Sequence, residues 1–134
     1  MLVGRGADIG GMALQHYRQL VAWQKAMDVA VAVYDATRVL PKDELYGLTS
    51  QVRRSAVSVP SNIAEGQGRG TPDEFKRFIR VANGSRQEME TQILLAGRLG
   101  YLAQEVVDRL VQSSEEVGRL NSGLLRSLGQ PPLH

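Results

Sequence analysis

The sequence contains no cysteine and only two histidines, His16 and His134, which stand near the two ends of the chain. Without cysteine, a disulfide framework, a thiol nucleophile and a cysteine-ligated zinc or iron–sulfur site are all excluded. No glutamate is followed by a histidine three residues later, so the ligand pattern of di-iron four-helix proteins is missing. We therefore expect no enzymatic activity, no cofactor and no metal site.

Long hydrophobic runs are missing as well. No stretch of 18 apolar residues exists, so no membrane span is predicted, and residues 1–16 lack the apolar segment of a signal peptide. A cytoplasmic location is therefore expected. The 134 residues, 43% of them hydrophobic, fit one globular domain. We predict a flexible leader at 1–16, a single domain at 17–128 and a C-terminal tail at 129–134.

Apolar residues recur at intervals of three and four through four long segments, about 17–40, 42–66, 72–99 and 103–128. The segments are separated by short loops that carry proline and glycine, and short loops make consecutive helices antiparallel. The pattern predicts an all-α protein, an antiparallel up-down-up-down four-helix bundle. Pro60 lies inside the second helix and lacks the N–H that would bond the Ala56 carbonyl, so we expect a kink near Pro60.

Helix ends are marked by several local signals. Thr71 precedes Pro72 and stands three residues before Glu74, the pattern of a helix N-cap and capping box. Gly66 and Gly100 follow apolar runs and are predicted to terminate the second and third helices.

The first helix is apolar over more than half of its circumference. One stripe, which includes Leu20 and Trp23, is predicted to face the bundle core. An adjoining stripe then remains for contact with another subunit. The predicted oligomer interface consists of Val21, Val29, Val33 and Ala36.

Positive charge is concentrated in the middle of the chain. Residues 51–86 carry seven basic and three acidic residues, and 13 of the 16 basic residues of the whole chain are arginine. Guanidinium groups bind phosphates and carboxylates with matching geometry, so this segment is a candidate nucleic-acid surface. A solvated helix face with ion pairs within each helix is the simpler explanation of the charge alone. The candidate nucleic-acid-binding residues are Arg53, Arg54, Arg69, Lys76, Arg77 and Arg80.

Polar residues on the second and third helices suggest a network between them. Antiparallel pairing places Arg53 and Arg54 opposite residues 84–88, so arginine–glutamate pairs across the helices are expected, with either a structural or a functional role. Arg86 falls on an apolar stripe and needs a carboxylate, for which Glu90, one turn further on, is the local candidate.

Four segments together resemble a known family: LVAWQKAM at 20–27, PKDELYGL at 41–48, QVRRSAVSVPSNIAEG at 51–66 and EF…GSRQEMET at 74–91. The sequence is similar to the four-helix proteins encoded in 23S rRNA intervening sequences, over about residues 17–102. The resemblance implies a four-helix bundle, often a ring-like homopentamer, without an enzymatic activity or a cofactor. Among the positions that match the family signature, the polar ones singled out are Asn62, Glu65, Ser85, Glu88 and Thr91.

The sequence is also similar to the accessory protein of diversity-generating retroelements, which binds nucleic acid and a reverse transcriptase. Two alternative functions are therefore compatible with the sequence. The first is a homo-oligomer, a pentamer, that binds nucleic acid and in particular structured RNA, since only 5% of the residues are aromatic and no platform for stacking single-stranded bases is evident. The alternative is a protein–protein adaptor or scaffold, for example for a reverse transcriptase.

Overall fold

The computed structural model describes residues 16–129, and these residues form four long α-helices and no strand. The helices are α1 (Val21–Ala36), α2 (Leu48–Gly68), α3 (Pro72–Arg98) and α4 (Gln104–Ser127). The predicted all-α class and the number of helices are confirmed. Apart from His16 and Gly129, the predicted leader and tail lie outside the described residues.

Each helix packs against two others: α2 against α1 and α3, and α4 against α1 and α3. Across α2 and α3, Ser58 contacts Ser85 and Ser55 contacts Gln92. Across α3 and α4, residue 86 contacts residue 114, and residue 97 lies against residue 107. In both pairs of helices, later residues of one helix contact earlier residues of the other.

The first helix presents a different face to the core from the one that its sequence predicts. Val29 and Val33 are buried, with exposed fractions of 6% and 0%, whereas Val21 and Val31 are exposed at 52% and 59%. The prediction that Val29 and Val33 form an oligomer interface is therefore wrong, and Ala36 is half-buried against the same core. The core face is rich in small residues, including Ala22, Ala26 and Ala30, which let α1 lie close to its neighbours.

Helix ends agree with the local signals at two positions and differ at one. Thr71 accepts a hydrogen bond from the Glu74 backbone N–H at 3.3 Å, and Gly100 has a φ of +77°. Only the N-cap half of the predicted capping box is present within residues 16–129, because the Glu74 carboxylate pairs with Arg77. Gly66, by contrast, does not end α2, which continues to Gly68. A Cβ at Gly66 would lie 2.6 Å from the Phe78 Cβ, so this glycine serves the close packing of α3 on α2.

Candidate nucleic-acid interface

The Arg53 side chain binds to the C-terminal end of α1. Its Nε donates to Thr37 Oγ1 at 2.9 Å, a second guanidinium nitrogen donates to the Tyr34 carbonyl at 3.3 Å, and the guanidinium lies 4.6 Å from the Tyr34 ring centre. The carbonyls of a last helical turn have no partners within the helix, and a cation there is favourable. Arg53 therefore ties α2 to the C-terminal end of α1.

Arg54 points to the surface of α2. One of its guanidinium nitrogens donates to Ser50 Oγ at 2.9 Å, and within residues 16–129 no carboxylate oxygen lies within 4 Å of it. Neither Arg53 nor Arg54 has a carboxylate partner within residues 16–129, but Arg54 is exposed and Arg53 is half-buried, so Arg54 presents the more accessible charge.

The basic residues near the α2–α3 turn form ion pairs. Arg69 lies 2.7 Å from Glu65, and Arg77 lies 3.1 Å from Glu74. Both guanidinium groups also lie over the ring of Phe78, at 5.0 and 4.5 Å from its centre.

Lys76, the next residue of the basic set, lies 3.2 Å from Asp73, and its side chain is only 12% exposed. Arg80 is exposed on α3. The candidate nucleic-acid-binding residues thus combine two features that were alternatives from the sequence. Local ion pairs compensate three of them, Arg69, Lys76 and Arg77, whereas Arg54 has no carboxylate partner within residues 16–129.

The predicted arginine–glutamate network across α2 and α3 is not formed. Arg53 turns to α1, and Arg54 bonds within α2. Instead, neutral groups bridge the helices, because the hydroxyls of Ser58 and Ser85 lie 2.8 Å apart and the Asn62 amide donates to Ser58 Oγ at 2.9 Å. The signature residues Asn62 and Ser85 are thereby brought together.

The other three signature residues lie apart from this cluster. Glu65 pairs with Arg69, and Thr91 donates to the Gln87 carbonyl at 2.9 Å. Glu88 is exposed and forms no ion pair with any residue in 16–129.

Arg86 is buried and forms an ion pair with Glu90, as the sequence predicts. Its Nε also donates to Asn83 Oδ1 at 2.7 Å, and another guanidinium nitrogen lies 3.3 Å from Ser114 Oγ on α4. A Cβ at Gly118 would lie 2.8 Å from the guanidinium carbon. Sequence analysis missed these partners, although Gly118 within the apolar pattern of α4 was a visible signal of a close contact.

Glu44 joins two loops at one end of the bundle. One carboxylate oxygen accepts from the Leu48 N–H at 3.0 Å, and the other accepts from the Tyr101 hydroxyl at 3.1 Å. The hydrogen bond to Glu44 raises the pKa of Tyr101 above its ordinary value, and desolvation and the charges of Glu44 and Asp43 act in the same direction.

An open groove of about 520 Å³ runs between α1 and α2. Its walls are mostly apolar and include Trp23, Met27, Val31, Tyr34 and Val57. Several of these side chains, including Met27, Val31, Tyr34 and Val57, are exposed, which is unusual for large apolar residues side by side.

Metal-ligand clusters and membrane-spanning helices are both missing from residues 16–129. Within residues 16–129, no three histidine, aspartate or glutamate side chains are grouped so as to hold a metal ion. None of the helices in this part of the chain combines the length and the apolar character that crossing a bilayer requires.

Residues 18–123 match the family model described as 23S rRNA-intervening sequence protein. The chain belongs to this family. The resemblance noted from the four sequence segments is confirmed, and the match includes every candidate site residue discussed above. No curated protein matches the chain.

A solved structure supports the fold of this family member. It is a protein of unknown function from the S23 ribosomal protein family of Bacteroides thetaiotaomicron, with a TM-score of 0.71 and 22% sequence identity. The similarity covers 82% of this chain and 100% of the other. At this identity, the likeness shows a common fold.

Proposed function

We propose that this protein is a non-enzymatic, cytoplasmic homo-oligomer, a pentamer, that binds structured RNA through arginines on α2 and α3. The observation that carries the proposal is the state of Arg54, an exposed guanidinium without a carboxylate within 4 Å among residues 16–129. Exposed arginines of this kind bind phosphates and make the affinity depend on salt. In a ring, each copy contributes such a group to a shared surface.

The arrangement of the bundle is part of the proposal. We propose that the helices run up-down-up-down and that α2 bends near Pro60. The reversed order of contacts in the α2–α3 and α3–α4 pairs supports the first statement. The missing N–H of Pro60 within α2 supports the second.

The exposed face of α1 supports self-association. Met27, Val31 and Tyr34 are exposed there and line the groove between α1 and α2, and Val21 is exposed at the first residue of the helix. Contiguous apolar surface of this kind is typical of a protein interface. We propose this face as the oligomer interface in place of the predicted one, because Val29 and Val33 are buried in the core of the chain itself.

The proposal is tested by fluorescence anisotropy with an RNA hairpin, a single-stranded RNA and a DNA duplex at several salt concentrations. The Arg54→Glu variant should bind the hairpin about tenfold more weakly, and the salt dependence should fall by about one unit of slope for the lost phosphate contact. Arg119→Glu on α4 is the matched control, because Arg119 is also exposed and forms no ion pair within residues 16–129. It should bind like the wild type.

Equal losses in the two variants would show that only overall charge matters and would contradict a defined surface on α2. Arg53→Glu is a poor test, because its side chain holds the end of α1.

A second candidate function is a protein–protein adaptor or scaffold, for example for a reverse transcriptase. The apolar groove between α1 and α2 favours it, since a partner helix could bury its own apolar face there. A wild-type protein that binds none of the three nucleic acids at low salt would reject the first proposal and favour the adaptor.

A further inference from the structure

Two arginines at the turn between α2 and α3 share one aromatic support. The guanidinium carbons of Arg69 and Arg77 lie 5.0 and 4.5 Å from the centre of the Phe78 ring. Phe78 itself is buried and packs against Gly66, which leaves no room for a larger residue. Because the ring is held in place, the two cations that lie over it are both held within 5.0 Å of the ring centre.

Each of these arginines is paired with a carboxylate of its own helix. Arg69 contacts Glu65 at 2.7 Å, and Arg77 contacts Glu74 at 3.1 Å. The two arginine side chains are 47% and 58% exposed. Exposed ion pairs contribute little free energy, so another anion can displace the carboxylates at a small cost.

We propose that Arg69 and Arg77, stacked on Phe78, form an arginine clamp for the phosphodiester backbone, and that Glu65 and Glu74 restrain its affinity. The clamp rests on the proposed nucleic-acid binding and assigns a second contact region to it. A guanidinium that stacks through its face keeps its N–H groups free at the edge, and these can bind two phosphate oxygens in parallel.

The local charges explain why the clamp would act after docking. In the free protein the two arginines and the two glutamates cancel, so the clamp adds little to the long-range attraction of RNA. Arg54, which has no carboxylate partner within residues 16–129, contributes to that attraction. When the backbone reaches the turn, phosphate oxygens replace the carboxylates as partners of the stacked guanidinium groups.

The test uses the full-length protein and a duplex RNA in an anisotropy titration. The Glu65→Gln/Glu74→Gln variant should bind about threefold to tenfold more tightly, the factor expected when two exposed ion pairs are released. The matched control is Glu105→Gln/Glu115→Gln, which removes the same charge from exposed positions of α4 that form no ion pair within residues 16–129. The affinity of this control should change by less than about twofold.

The glutamate substitutions are then repeated in an Arg69→Gln/Arg77→Gln background, where the gain in affinity should disappear. A gain that persists without the arginines, or that is as large in the α4 control, would overturn the clamp and leave RNA binding intact.

A second readout separates the two proposals. NMR spectra of the Arg69 and Arg77 Nε–Hε groups are recorded during titration with inorganic pyrophosphate. Shifts at both groups that saturate at lower concentration in the Glu65→Gln/Glu74→Gln variant support the clamp, even if the wild type fails to bind RNA. Spectra that stay unchanged in both proteins would overturn it.

Discussion

Asn121 is a polar residue buried in the core, and neither of its amide atoms has a hydrogen-bond partner within residues 16–129. An unsatisfied buried amide costs free energy that an apolar side chain of similar size avoids. We predict that Asn121→Leu raises the free energy of unfolding by about 1–3 kcal/mol. Urea denaturation measures it, with Asn121→Ala as the control that removes the amide but leaves a cavity. A lower stability of Asn121→Leu would show that the amide has a partner in solution.

Gly118 and Arg86 form a pair that double substitution can test. Asn83, Glu90 and Ser114 hold the guanidinium, so it cannot move away from a new Cβ without losing hydrogen bonds. We predict that Gly118→Ala lowers the free energy of unfolding by about 1–3 kcal/mol. In an Arg86→Met background the same substitution should cost much less, as urea denaturation of all four proteins would show. Equal decreases of the free energy of unfolding in the two backgrounds would mean that residues other than Arg86 determine the effect of the new methyl group.

At the scale of elements, Glu44 and Tyr101 connect the segment before α2 to the segment after α3. The raised pKa of Tyr101 means that the folded protein holds this proton more tightly than the unfolded chain. The corresponding stability is fully present below about pH 10, the ordinary tyrosine pKa, and is lost as the pH rises through the raised value.

We therefore predict that Tyr101→Phe lowers the melting temperature at pH 8 and that its difference from the wild type shrinks above pH 10. Thermal melts between pH 7 and 11 measure this, with Tyr46→Phe as the control, since Tyr46 is exposed and has no hydrogen bond through its hydroxyl among those of residues 16–129. A difference that is independent of pH would contradict the role of the Glu44 hydrogen bond.

At the scale of the whole molecule, one side of α1 is buried in the core, and the other side is the face proposed for self-association. Val33 is in the core, and Val31, two residues earlier, is exposed beside the groove. We predict that Val31→Glu leaves the helix content unchanged but dissociates the oligomer, whereas Val33→Glu unfolds the chain, because an unpaired carboxylate in an apolar core is very unfavourable.

Circular dichroism and analytical ultracentrifugation of the two variants distinguish these effects. A folded Val31→Glu protein with the mass of the wild-type assembly would reject the α1 face as the interface.

Much of the fold follows from the sequence because its signals are local. The repeat of apolar residues at three and four positions indicates the four helices, and Thr71 with Pro72 marks the start of α3. The pairing of Arg86 with Glu90 also follows, since residues four apart on a helix are neighbours. Each of these depends on positions within a few turns of one helix.

Which helix surfaces meet, by contrast, follows only from the packing of the helices against one another. The first helix has two apolar faces, and periodicity alone cannot tell which of them is buried, which is why the predicted interface wrongly includes the buried residues Val29 and Val33. Arg53 reaches α1 rather than α3, and Gly66 and Gly118 make room for Phe78 and Arg86 on neighbouring helices. Such contacts depend on the rotation and spacing of helices, which no single segment encodes, because they result from the packing of all four together.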